Sequence, residues 1–194
     1  MHKPLYGLIL AGGRSTRMGC DKGALVYHNG KDQVRYLYDV LSHFVGRVFV
    51  SARDMQRSQP HLQGYNVIED VRNIDSPLNG ILSAMDRFPE AGWLVVAVDM
   101  PFINESAVQA LCNARNPELL ATCFSSPIKG GPDPLFAIWE ANAKAQIESL
   151  VEKASITCPR KMLTLLDTHI VQDGIDAKVL SNINTPLEYS EVLS

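Results

Sequence analysis

Six short apolar runs recur along the chain: LYGLIL (5–10), RVFVS (47–51), YNVIE (65–69), WLVVAV (93–98), LLATCF (119–124) and PLFAIW (134–139). Several are β-branched, and their apolar residues are continuous rather than alternating. That is the pattern of strands buried on both faces of a sheet. Between them lie segments with helical spacing. QVRYLYDVLSHF puts Val34, Leu37, Tyr38 and Leu41 on one stripe, and NGILSAMDRF does the same with Ile81, Leu82, Met85 and Phe88. Asn104 is a candidate N-cap for NESAVQALCNA, followed by Glu105, while ANAKAQIESLVEKA is an alanine-rich helix with a charged exposed face. Alternation of strands and helices demands right-handed crossovers, and so predicts an α/β fold whose mostly parallel sheet is covered on both sides.

The 194 residues contain no internal repeat, long linker or low-complexity tract, and read as one domain, 1–194. SSPIKGGPDP (125–134) reads as a loop, because strand-like sequence resumes directly after it. A formal net charge of -3 provides no global basic field for nucleic acid, so any affinity for anions must be local. Cys20, Cys112, Cys123 and Cys158 are scattered, without a CxxC pair, which argues against a structural zinc site or a disulfide framework. His2, His28, His43, His61 and His169 form no spaced ligand set, and no GxSxG elbow is present. MHKPLYGLIL lacks a signal-peptide pattern, and no segment has the ~20 apolar residues of a membrane span. These features together predict a cytoplasmic protein with free thiols and no membrane or nucleic-acid partner.

In open α/β sheets, ligands bind beyond the carboxyl ends of the strands. The residues that follow strands here are a glycine loop after 5–10, then Ser51, Asp70 and Asp99. The loop fits neither GxGxxG nor GxxxxGK[ST], since its glycines are Gly12, Gly13 and Gly19 and Lys22 comes three residues later. The ingredients of phosphate binding are nonetheless present. Gly12 and Gly13 let backbone amides approach an anion, and Arg14, Arg17 and Lys22 supply charge opposed nearby only by Asp21. A tight turn with a solvated basic loop is the alternative, and three cations straight after a buried strand favour phosphate. Asp99 ends an apolar strand, where an unpaired buried carboxylate would be costly. Either Mg²⁺ on a phosphate compensates it or it caps the helix that follows, aided by Pro101 and Asn104; position alone leaves these two about even.

LILAGGRSTRMGCDKGAL resembles the LAGGxSxRMGxDKxxL signature of the nucleotidyltransferases related to molybdenum cofactor guanylyltransferase. The similarity continues through DMP at 99–101, PLNGI at 77–81, PLFAIW at 134–139 and the tail NINTPLE at 182–188. It implies a Rossmann-like three-layer α/β/α fold, nucleotide-diphospho-sugar transferase-like. The implied reaction moves GMP from Mg-GTP to molybdopterin cofactor, releases pyrophosphate and forms molybdopterin guanine dinucleotide. The resemblance makes Asp99 the Mg²⁺ ligand, and Lys22, Arg17 and Asp99 the catalytic set. It assigns nucleotide contacts to Leu10, Ala11, Gly12, Gly13, Arg14, Lys22, Ser51, Asp70, Gly80 and Asp99. Asn182 and Asn184 are implied on the molybdopterin side, and Cys20 becomes a bystander. GTP and molybdopterin cofactor are the implied partners, with molybdenum-insertion proteins and molybdoenzyme chaperones beyond them.

The chain departs from this pattern at three places. Ser51 stands where some relatives have asparagine, Asp32-Gln33 stands where Pro-Leu or Pro-Met is usual, and Leu187 displaces the acidic tail residue to Glu188. Gly130 and Gly131 read either as a mobile loop over the pterin side or as a hairpin turn. Thr185-Pro186 also reads as the start of a final helix. A CTP-dependent molybdopterin cytidylyltransferase would share the loop, Asp99 and the tail. A nucleotide-binding regulatory module without turnover is the alternative from another class; sugar-phosphate nucleotidyltransferases are usually longer and lack the tail.

Overall fold

The computed structural model describes residues 3–13, 21–28, 30–53, 56, 58–126 and 130–193. Strand β1 (Leu5–Leu10) leads past a hairpin of β2 (Val26–His28) and β3 (Lys31–Asp32) to helix α1 (Gln33–Ser42). Then follow β4 (Val48–Ala52), β5 (Val67–Glu69), α2 (Leu78–Arg87), β6 (Gly92–Ala97) and α3 (Glu105–Ala114). The remaining elements are β7 (Ala121–Ser125), β8 (Pro132–Trp139), α4 (Lys144–Ala154), α5 (Pro159–Leu165), β9 (Thr168–Val171) and α6 (Pro186–Leu193). Seven strands form the main sheet in the order β5-β4-β1-β6-β8-β7-β9.

Every strand pair in that sheet is parallel except the two made by β8, which runs antiparallel to β6 and β7. The expected α/β fold with a mostly parallel sheet is what forms. All six residues of β6 are buried, so both sheet faces are covered there and the run can be wholly apolar. On α1 and α2 the expected stripes turn inward: Val34, Leu37, Leu41, Ile81, Leu82 and Met85 are buried, while Tyr38 and Phe88 pack partly exposed at the margin.

Helix starts follow local chemistry. Asp32 caps α1 by accepting from Arg35 N at 2.8 Å, and Asn104 caps α3 by accepting from Ala107 N at 2.9 Å. At α6, Thr185 Oγ1 accepts from Glu188 N at 3.3 Å while Glu188 Oε2 accepts from Thr185 N at 3.0 Å, a reciprocal capping box.

The 125–134 loop is shorter than the sequence suggests. Ser126 N donates to Gly131 O at 2.8 Å and Gly130 N to Ser126 O at 2.9 Å, closing a hairpin turn in which both glycines have positive φ. Strand β8 therefore starts at Pro132. Pro132 and Pro134 fit because pairing with β6 ends at Phe136, so no ladder bond to β6 needs their missing N–H. The β2–β3 hairpin, α5 and β9 lie outside the elements expected from sequence; each is short, and β9 has no fully buried residue to mark it.

Below the amino end of β6, Arg115 Nε and Nη2 grip Glu140 at 2.7 and 2.9 Å, with Glu140 fully buried. Gly92 leaves room for this pair, since a Cβ there would stand 2.9 Å from Glu140 Oε2. Removing one partner of a buried ion pair leaves an uncompensated charge. Arg115→Ala is therefore expected to lower unfolding free energy by about 3–5 kcal/mol, read by urea denaturation, with the Arg115→Ala/Glu140→Gln double variant recovering part of the loss.

Candidate functional site

A cleft of about 440 Å³ opens at the carboxyl ends of β1, β4, β5 and β6. Its floor is the last rungs of the parallel ladder. Ala11 N donates to Ser51 O at 2.9 Å, Asp70 N to Ala52 O at 3.0 Å and Val98 N to Leu10 O at 3.2 Å. The rungs bring the strand ends and the residues that follow them to one rim, so Leu10, Ala11, Gly12, Gly13, Ser51, Asp70 and Asp99 line one space together with Lys22, Gly80 and Asn184.

At one end stands Lys22. Its ammonium donates to Asn184 Oδ1 at 2.7 Å and lies 3.4 Å from Asp99 Oδ2. The other Asp99 oxygen accepts from Asn182 Nδ2 at 2.8 Å, and the Asp99 carbonyl accepts from Ile183 N at 2.7 Å. Asn182 and Asn184 thus brace the two charged residues of this end. The segment after Asp99 is fixed through its carbonyls: Gln33 Nε2 donates to Met100 O at 3.3 Å, His28 Nε2 to Pro101 O at 2.7 Å and Tyr36 Oη to Ile103 O at 2.9 Å. These bonds satisfy backbone groups that would otherwise be stranded in a turn after a buried strand.

Lys22 begins a single 3₁₀ turn capped by Asp21, which accepts from Gly23 N at 2.9 Å. Gln56 Nε2 donates both to Ala11 O at 3.1 Å and to Asp21 Oδ2 at 3.2 Å, tying together the two ends of the glycine loop. Arg14, Arg17, Gly19 and Cys20 lie outside the described residues.

The opposite end holds Asp70. Ser51 Oγ donates to its Oδ1 at 2.5 Å, and a Cβ on Gly12 would collide with its Oδ2. A Cβ on Gly80 would collide with Ser51 Oγ and approach Leu10 Cδ2 to 2.9 Å. Burial pushes the Asp70 carboxyl above the usual carboxylate range; the Ser51 bond and nearby Arg53 pull it back, and Glu69 adds a small upward push. The loop beyond is held by Asn79, whose Nδ2 donates to Arg72 O at 2.5 Å and whose Oδ1 accepts from Arg72 N at 2.9 Å.

The donor set bears on a metal. Among the described residues there is no group of three or more His, Cys, Asp or Glu that could cage an ion. At the Lys22 end of the cleft, Asp99 presents one partly exposed carboxylate. One carboxylate with hard oxygen donors suits Mg²⁺ held mainly by phosphate and water, and suits neither zinc nor a calcium cage.

Sequence reasoning passed over Gln56, Asn79, Arg53 and His28. Asn79 is visible only as a letter of PLNGI, and His28 only as a histidine without ligand spacing. Gln56 carried no signal. Because Gly80 touches Ser51 and Asp70 through its missing side chain, Gly80→Ala is expected to keep α2 helical yet lower stability by roughly 1–3 kcal/mol through overpacking. Thermal melting followed by circular dichroism measures it; an unchanged or raised melting temperature would mean that this corner has slack.

Residues 7–170 match the family model described as the MobA-like NTP transferase domain. A Synechocystis protein named molybdenum cofactor biosynthesis bifunctional protein is 33% identical over 97% of this chain, which spans 54% of that protein. A protein of Halalkalibacterium halodurans named probable molybdenum cofactor guanylyltransferase is 29% identical, covering 98% of each chain. Among solved structures, the fold resembles molybdopterin-guanine dinucleotide biosynthesis protein A from Archaeoglobus fulgidus, with TM-score 0.77, 21% identity and 96% of each chain covered.

Proposed function

The chain belongs to the MobA-like NTP transferase family, and on that premise we propose that this nucleotidyltransferase moves GMP from Mg-GTP to molybdopterin cofactor, forming molybdopterin guanine dinucleotide and pyrophosphate. One observation carries the reading: Lys22, with Asp99 beside it, stands at one end of the cleft, whereas at the other end the Asp70 and Asp75 carboxylates face one cation, Arg53, among the described residues. A triphosphate avoids the anionic end, so its phosphates go to Lys22 and its nucleoside to Asp70. Guanine offers adjacent N1–H and N2–H donors to a carboxylate, whereas cytosine offers one donor beside acceptors.

In this reading, the Gly13 amide and the Lys22 ammonium receive the phosphate oxygens, while Gly12 stands against Asp70 at the nucleoside end. Asp99 would hold Mg²⁺, which neutralises charge on the α-phosphoryl group and the departing pyrophosphate. The attacking group in this reading is a terminal phosphate oxygen of the acceptor itself, and no cysteine or histidine among the described residues lines the cleft. A new P–O bond forms at the α-phosphorus as the α–β bridge breaks, in line, and pyrophosphate leaves. The protein's part is positioning and charge stabilisation. Asn182 and Asn184 set the Asp99 carboxylate and the Lys22 ammonium toward that centre from the acceptor side of the cleft.

Asp99→Ala is expected to abolish transfer, and Lys22→Ala to lower it about 10²-fold or more, the usual loss for one charge-stabilising donor. Pyrophosphate release with GTP, Mg²⁺ and molybdopterin cofactor reads both; near-normal release from either variant removes its assigned role. Mass spectrometry of the product with GTP or CTP supplied separately tests the base, a cytidine product overturning guanylyl transfer.

A further inference from the structure

Ser51 sits deep in the cleft floor at 1% exposure, on the strand beside Asp70, in a position where a nucleoside contact is the simple expectation. Its geometry gives it a different task. A serine hydroxyl has one proton, and here that proton is committed to Asp70 Oδ1 at 2.5 Å. Above the hydroxyl, Gly80 approaches so closely that any side chain would strike Ser51 Oγ. Below the carboxylate, Gly12 approaches so closely that any side chain would strike Asp70 Oδ2. The carboxylate is therefore held at both oxygens, with Oδ1 accepting from Ser51 and Oδ2 against Gly12 on the glycine-loop side of the cleft.

We infer that Ser51 is a positioning residue that acts through Asp70, holding the carboxylate in the plane in which it accepts the donor edge of guanine, so that base selection runs through the Ser51–Asp70 hydrogen bond. The inference rests on the guanosine reading of the Asp70 end given above. It assigns the hydroxyl no contact with the nucleotide. The charges that face Asp70 are Arg53, beyond the end of β4, and Glu69, on its own strand; the glycines on either side bring none. Burial raises the Asp70 pKa and the Ser51 bond lowers it, so loss of that bond leaves the group protonated to a higher pH.

A double-mutant cycle measured as nucleotide binding, without acceptor, tests this. GTP, ITP (which lacks the N2 amino group) and CTP are titrated with Mg²⁺ into the wild type, Ser51→Ala, Asp70→Asn and the double variant. Ser51→Ala changes one buried oxygen to hydrogen and is expected to stay folded; its melting curve checks this. The expected result is about tenfold weaker GTP binding in Ser51→Ala, a smaller loss for ITP, and a preference for GTP over CTP that shrinks accordingly. The acid limb of GTP binding moves to higher pH in Ser51→Ala, and in the Asp70→Asn background the serine change adds little. Additive losses, or an unmoved acid limb with equal losses for GTP and ITP, would overturn the inference and make Ser51 a direct contact or a packing residue. A wild type that binds GTP no better than ITP or CTP defeats the guanine reading itself, and is recognised before any variant is made.

Discussion

Parallel strands end level with one another, and the rungs that join those ends decide what this protein can do. Ala11 N to Ser51 O, Val98 N to Leu10 O and Asp70 N to Ala52 O are the last bonds of their ladders. Beyond them the chain must leave the sheet, and the residues that follow line a shared space. Because the backbone is already satisfied, their side chains are free for recognition. Three strand ends, separated by tens of residues in sequence, therefore deliver Gly12, Asp70 and Asp99 to one rim. Glycine at 12 and 80 keeps that rim narrow enough for a carboxylate and a hydroxyl to touch backbone.

The two acids on the rim differ in how they are held. Asp99 is shared between Lys22, from the turn after β1, and Asn182 and the amide of Ile183, from the segment that leads into α6. Asp70 has one hydroxyl donor and is raised in pKa by burial. A carboxylate that an ammonium and an amide approach is suited to a metal or phosphate task. One that accepts from a hydroxyl, with Arg53 near it, is suited to accepting a neutral ligand's donors. Environment, rather than residue type, sets the two apart, in the manner by which sites commonly divide work between like groups.

Burial on both faces made the central strands legible from sequence: β1, β4 and β6 are runs that no amphipathic helix would show, and the ends of β5 and β6 announced Asp70 and Asp99. Strand direction was not legible. PLFAIW reads the same either way, and only the tight turn at Gly130-Gly131 forces β8 to return antiparallel. Strand β9 and helix α5 escaped because each is too short for periodicity to register. Within the site, residues next to strand ends could be read, whereas those that brace them could not. Gln56 bridges Ala11 to Asp21, and His28 supports Pro101 across 73 positions; neither spacing leaves a trace in one sequence.

The tail shows how a local rule can serve a distant site. Placing Glu188 rather than an acid at position 187 puts the carboxylate at the third residue of α6, where it takes the amides of Asn184 and Thr185 at 2.6 and 3.0 Å. Those amide bonds, the first from Asn184, hold the Glu188 carboxyl below its usual range. An acid one residue earlier would not complete the Thr185 box. The consequence extends past the helix, because the residue whose amide is caught is the one whose side chain holds Lys22. Helix capping thus fixes the backbone of Asn184, Asn184 fixes the ammonium, and the preceding Asn182 fixes Asp99. A shift that looks like a departure at the level of motif is, at the level of hydrogen bonds, what anchors the end of the chain to the charged half of the cleft.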